Sequence, residues 1–151
     1  MEKNLQNIVD IKKYPINDLN SPKIKSIINK CKEDLDKYSC STIPNFILPK
    51  SLKIMNKELE KQIDDVFMSK ESVNAYLYSK DDPALPKDHP KRIFMKRYNG
   101  YLNSDCFPKG SEMKFLYETE ELLKFVSSCL GISPIYRWAD PLACHAYNVM
   151  K

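Results

Sequence analysis

The chain has 151 residues, 42% of them hydrophobic and 29% charged, with a formal net charge of +4. That is enough apolar material for one domain with a core, and three glycines against ten prolines exclude a flexible low-complexity chain or a Gly-rich phosphate loop. Acidic and basic residues are interspersed, and the densest basic run, Lys91-Arg92 to Lys96-Arg97, is short, which argues against a nucleic-acid-binding stripe.

Residues 1–20 are polar with apolar anchors at Ile8, Ile11, Tyr14 and Ile16, and read as an extended arm packed on a domain spanning 21–151. Ser21-Pro22 is a helix start, a serine N-cap followed by proline at the first helical position. Ile24, Ile27, Ile28, Cys31 and Leu35 follow at helical spacing, so the helix is expected to end near Tyr38. Ser39 to Ile43 is a short strand candidate. A second helix is expected from Ser51, with Leu52, Met55, Leu59, Ile63, Val66 and Phe67 on one face over about four turns.

Val73 to Tyr78 is rich in aromatic and branched residues and predicts a strand. The run Asp81 to Pro90 holds three prolines, which forbids a regular element and suggests a loop with a task such as covering a pocket. Arg92 to Asn103 reads as a strand interrupted at Gly100, and Phe107 to Gly110 as a turn. A third helix is expected from Thr119 to Leu130, with Glu120 and Glu121 in its first turn and Gly131 to stop it. Pro134 to Trp138 is a further strand candidate. Asp140-Pro141 is a turn, and Leu142 to Met150 is expected to be a buried strand still running at Lys151, which hints at truncation. The order is that of an α+β fold.

Five cysteines without a C-x-x-C pair argue against a zinc knuckle or a thioredoxin-like motif. Cys31 and Cys129 fall on apolar helix faces, where a free thiol acts as a small hydrophobe. No signal-peptide pattern opens the chain, and no apolar run reaches the ~18 residues of a membrane helix. A soluble, cytoplasmic location in a reducing compartment is therefore expected.

Only two histidines occur, His89 and His145, and neither begins the H-x-D or H-x-E pattern of a non-haem iron site. A G-x-S-x-G elbow is missing. A Cys144–His145 dyad is disfavoured because neighbours along a strand point to opposite faces. Arg92 and Arg97 lie in or near a strand and are suited to gripping a carboxylate by paired hydrogen bonds; the alternative for each is a solvent-facing arginine on a sheet edge. Arg137 carries the same two readings, and Asp140 reads as the start of its turn.

Several segments in order resemble one family: Val73-Asn74-Ala75-Tyr76-Leu77; Asp82-Pro83-Ala84-Leu85-Pro86; Asp88-His89-Pro90-Lys91-Arg92; Phe115-Leu116-Tyr117-Glu118; the Leu122–Gly131 helix; Ile135-Tyr136-Arg137-Trp138-Ala139-Asp140-Pro141-Leu142; and Tyr147-Asn148-Val149-Met150. The series is similar to the iron(II)/2-oxoglutarate-dependent oxygenases related to the free-amino-acid radical halogenases and hydroxylases. The resemblance implies N-terminal helices packed on the first strands of an incomplete double-stranded β-helix, or jelly roll. It implies that this is the N-terminal portion of such an enzyme, ending before the metal-binding motif, so that neither iron(II) nor 2-oxoglutarate is expected to bind the chain alone. It implies a small-molecule substrate, an amino acid, with Arg92 or Arg97 holding its carboxylate and His145 facing the barrel interior; for His145 the alternative is a packed strand histidine. A different reading is a short non-catalytic paralogue acting as a binding or interaction module. An unfinished sheet is also expected to self-associate through its edge.

Overall fold

The computed structural model describes residues 3–150. It is an α+β arrangement: α1 (Pro22–Tyr38), α2 (Pro49–Glu60), β1 (Phe67–Val73), β2 (Met95–Leu102), α3 (Glu112–Glu118), α4 (Glu120–Leu130) and β3 (Tyr147–Met150). The three strands form one antiparallel sheet in the order β1-β2-β3, with Glu71 opposite Arg97 and Tyr147 opposite Leu102. No helix among the described residues is long and apolar enough to cross a membrane.

α1 follows its local chemistry. The Ser21 hydroxyl accepts from the Ile24 N–H, and the helix closes at Ser39, which donates its N–H to the Leu35 carbonyl and turns the chain away with a positive φ of 59°. α4 stops at Gly131, where φ is 69°, a conformation open to glycine without steric cost.

The N-terminal segment is more than an arm laid on a finished domain. Leu5, Ile8, Val9, Tyr14 and Ile16 belong to the main core cluster with Ile24, Ile28 and Cys31 of α1, Met55 of α2, Leu116 of α3, and Phe125 and Cys129 of α4. Backbone hydrogen bonds from Asp10 N–H to the Phe46 carbonyl and from Leu48 N–H to the Ile8 carbonyl stitch it to the segment before α2. Cys31 and Cys129 are buried free thiols, as their apolar faces suggest. Burial, reinforced by the Cys31 sulfur, pushes the Cys129 thiol up to about 12, so it remains an uncharged core group.

Several elements differ from the sequence expectation. α2 ends at Glu60 instead of running to Phe67, and β1 begins at Phe67. Ser39–Ile43 and Pro134–Trp138 are not strands. Residues 74–78 form a turn instead of a strand, with Leu77 at φ 64°. α3 was not anticipated: the buried Ser111 caps it by accepting from Lys114 N–H, while Glu58 of α2 accepts from the Ser111 hydroxyl at 2.8 Å and from Glu112 N–H. β2 runs through Gly100 without a break. Glycine is needed there because a Cβ would collide with the side chains of Met68 and Val66. The last strand is confined to Tyr147–Met150; Lys151 lies outside the described residues.

The sheet has two unlike faces. Side chains alternate along a strand, so Met68, Gly100, Leu102, Tyr147 and Val149 share one side. There the Tyr147 hydroxyl donates to the Met55 carbonyl of α2. The other side carries Phe67, Ser69, Glu71, Met95, Arg97, Asn99 and Tyr101, with Phe67 and Met95 largely exposed.

Candidate functional site

The three residues singled out from sequence occupy three different settings. Arg92 is not in β2 but in a single 3-10 turn, Pro90–Arg92, that closes the proline-rich loop. Its guanidinium donates through Nε and Nη2 to both carboxylate oxygens of Asp81, at 2.9 and 2.8 Å, and through Nη1 to the Leu85 carbonyl. The guanidinium holds the Asp81 carboxyl below its ordinary range. This bidentate pair makes the loop a latched structure.

Behind the latch sits Asn74, which is not among the candidates that the sequence suggests. It is 1% exposed. Its Nδ2 donates to the Lys91 carbonyl at 2.6 Å, and its Oδ1 accepts from Tyr76 and Tyr78 N–H. One buried amide thus ties the 74–78 turn to the end of the loop. The sequence hint is a single polar residue inside the otherwise apolar stretch Val73 to Tyr78.

Arg97 lies half-buried on the face of the sheet that carries Phe67, Glu71 and Tyr101. Its Nη2 donates to the Tyr101 hydroxyl at 2.9 Å, and the Asn99 amide oxygen, turned toward it, accepts from the same guanidinium. Glu71 stands directly across on β1. Arg97, Asn99, Tyr101 and Glu71 form a polar strip bordered by Phe67 and Met95. The strip can grip a carboxylate or an amide and pack against an aliphatic chain.

His145 is on the opposite, helix-packed side. Asp140 Oδ1 accepts from Leu142 N–H at 2.8 Å, setting the expected Asp-Pro turn. The buried Ser104 at the end of β2 accepts nothing from it but donates through its hydroxyl to the Pro141 carbonyl and through its N–H to the Leu142 carbonyl. The tether delivers His145 between the rings of Phe107 and Tyr117, at 4.9 and 5.5 Å. Five residues of β2, about 17 Å at 3.3 Å each, separate Arg97 from Leu102, the partner of Tyr147. The structure therefore does not bring Arg97 and His145 together.

The expectation that Cys144 and His145 point apart is overturned. They lie in a turn ahead of β3, where alternation does not apply, and Cys144 Sγ is 3.2 Å from His145 Nδ1. The pair is poorly set up for nucleophilic chemistry nonetheless. Burial first, then the nearby Lys114, lowers the proton affinity of the imidazole against a smaller opposing effect of Glu118. A thiolate–imidazolium pair needs the reverse.

A base whose proton affinity falls on folding binds more protons when unfolded. Stability is therefore present above about pH 6.5, the unfolded value, and is lost as pH falls toward the depressed folded value. Urea midpoints should drop between about pH 7.5 and 5.5, and His145→Phe should shrink that drop; an undiminished drop in the variant would assign it to other groups.

Arg137, offered in the sequence as a possible ligand group, caps a helix. It donates to the Tyr117 and Glu118 carbonyls at the end of α3 and pairs with Glu120, where a cation meets the negative end of the helix dipole. His89 Nδ1 accepts from Lys91 N–H. Among the described residues no group of three or more His, Cys, Asp or Glu side chains is arranged to hold a metal ion, so these residues do not fit an iron centre by themselves. No family model, no curated protein and no solved structure matches this chain.

Proposed function

We propose that this chain forms the helical support and one wall of the substrate chamber of an iron(II)/2-oxoglutarate-dependent oxygenase, a hydroxylase or halogenase acting on a C–H bond of a small molecule, specifically a free amino acid. The observation that supports this best is a three-stranded antiparallel sheet that carries the polar strip of Arg97, Asn99, Tyr101 and Glu71 along one face. An antiparallel sheet of this kind suits the opening strands of a jelly roll, and the ordered motif series runs from the end of β1 through the proline-rich loop, α3 and α4 to β3.

In this reading Arg97 holds the amino-acid carboxylate, because its partners Tyr101 and Asn99 are neutral whereas Arg92 is paired with the Asp81 carboxylate. Phe67 and Met95 flank the aliphatic part of the substrate. The metal ligands and the 2-oxoglutarate anchor are supplied from outside residues 3–150, so no chemical step is assigned to the side chains described. Until the rest of the barrel or a second copy covers the open face, its apolar residues favour association.

Purified residues 1–151 should neither bind iron(II) stoichiometrically nor consume 2-oxoglutarate, as read by anaerobic titration and succinate release. Coding sequence that continues past Lys151 into a Trp-His-x-Asp-like segment would support the proposal. Tight iron binding by residues 1–151 alone would refute it.

A further inference from the structure

The turn that follows β1 presents three apolar side chains to solvent in succession: Tyr76, Leu77 and Tyr78 are 54, 65 and 60% exposed. We propose that this turn docks on an anionic lipid surface, with Leu77 entering the acyl boundary and Lys80 and Lys91 meeting the charged headgroups. The attachment is peripheral and needs no membrane-crossing helix. The inference does not depend on the oxygenase reading.

Two features set this tip apart from an ordinary polar turn. The first is where its backbone donors go. The Tyr76 and Tyr78 N–H groups both donate to Asn74 Oδ1, at 3.0 and 3.1 Å, and the Leu77 N–H donates to the Asn74 carbonyl at 2.9 Å. The Tyr78 carbonyl accepts from the Asn74 N–H. Three consecutive donors thus face inward to one buried residue. In water, exposed donors are satisfied by solvent; in an apolar medium each must find a partner within the protein. This tip can leave water without orphaning an N–H. The second feature is Leu77 itself. Its φ of 64° suits glycine or asparagine, and its exposed side chain adds nothing to the core. Tyrosine rings, apolar with a polar tip, suit the headgroup level on either side of an inserted aliphatic group.

The charge around the tip has the matching sign. Residues 76–97 hold six lysines and arginines against three aspartates. Asp81 is paired with Arg92, and Asp82 Oδ1 accepts from Ala84 N–H. Lys80 and Lys91 border one hollow beside the turn, and the Lys91 ammonium lies 5.9 Å from the centre of the Tyr76 ring. Neither lysine forms an ion pair among the described residues. Cations beside an apolar tip complement a bilayer that carries anionic headgroups. An acidic peptide would match the lysines, but a projecting tip needs a hollow in a protein partner, whereas a bilayer closes around it.

The test is co-sedimentation of the whole chain with vesicles of phosphatidylcholine alone and of phosphatidylcholine with phosphatidylserine. Binding to the anionic vesicles should be about thirtyfold tighter, the contribution of two lysines near such a surface, and should weaken with salt. Leu77→Gly, which suits the backbone and keeps the turn, should weaken it about tenfold. Lys80→Gln with Lys91→Gln should abolish the preference for anionic vesicles. Tyr136→Ala, at a site 83% exposed beyond α4, should change nothing. A tryptophan placed by Leu77→Trp, with Trp138→Phe to silence the native one, should be quenched by brominated acyl chains. No binding, equal binding to both vesicles, binding indifferent to Leu77→Gly, or an unquenched probe would each overturn the proposal. So would release of the chain from vesicles by a soluble oligoglutamate, which would assign the surface to an acidic protein. The two-vesicle comparison on the wild-type chain decides the matter even if a variant fails to fold.

Discussion

Shortening Ile8 to alanine should lower the free energy of unfolding by about 2–5 kcal/mol, the usual cost of emptying a buried aliphatic site. Ile8 is 1% exposed, and five of the twelve residues in the main buried cluster come from the segment before α1. A domain of ordinary stability has roughly 5–15 kcal/mol in all, so this one substitution would remove a large share. Urea unfolding followed by far-UV circular dichroism measures it, with Ile132→Ala, at a site 58% exposed, as a control expected within about 0.5 kcal/mol of wild type. If Ile8→Ala matched that control, the N-terminal segment would be a detachable strap, and the helices would have to close a core without it. The backbone bonds joining Ile8 and Asp10 to Leu48 and Phe46 argue otherwise.

What was legible in the sequence was whatever is decided locally. α1 announced itself through Ser21-Pro22 and a helical run of isoleucines, and α4 through two acids at its start and Gly131 at its end. What was hidden depends on partners distant in sequence. α3 is seven residues long and is pinned by Glu58, a residue of α2 more than fifty positions earlier. β1, Phe-Met-Ser-Lys-Glu-Ser-Val, has too few apolar positions to read as a strand and exists because β2 pairs with it along its length. Its first residue, Phe67, instead extended the apolar period of the helix before it. The site is hidden for related reasons. The residues after Arg92 alternate and so suggest a strand, yet Arg92 serves the loop before it. Strand alternation separates Cys144 from His145, but it does not hold in the turn they occupy.

Removing the Asn74 side chain should open the loop ahead of β2 while leaving the helical core in place. Its three side-chain hydrogen bonds, at roughly 0.5–1.5 kcal/mol each, amount to about 1.5–4.5 kcal/mol of local stability. Leu77 sits at φ 64°, a backbone state that disfavours a non-glycine residue by about 1–2 kcal/mol. The 74–78 turn therefore needs the Asn74 amide to persist. In Asn74→Ala the N–H groups of Tyr76 and Tyr78 lose their acceptor, and the Lys91 carbonyl loses the donor that fixes the start of β2. Trypsin should then cut faster after Lys80, Lys87 and Lys91, and amide exchange should rise across 74–92, with α1 and α4 unaffected. Arg92→Ala tests the second tie: it should loosen 81–90 while the 74–78 turn stays protected, because Asn74 does not contact the guanidinium. Unchanged cleavage in Asn74→Ala would mean that the Asp81–Arg92 pair holds the loop by itself. That outcome is physically hard to reach. Asp81 is nearly half exposed, and an ion pair open to solvent is weak and screened by salt, whereas the Asn74 amide works where water does not compete.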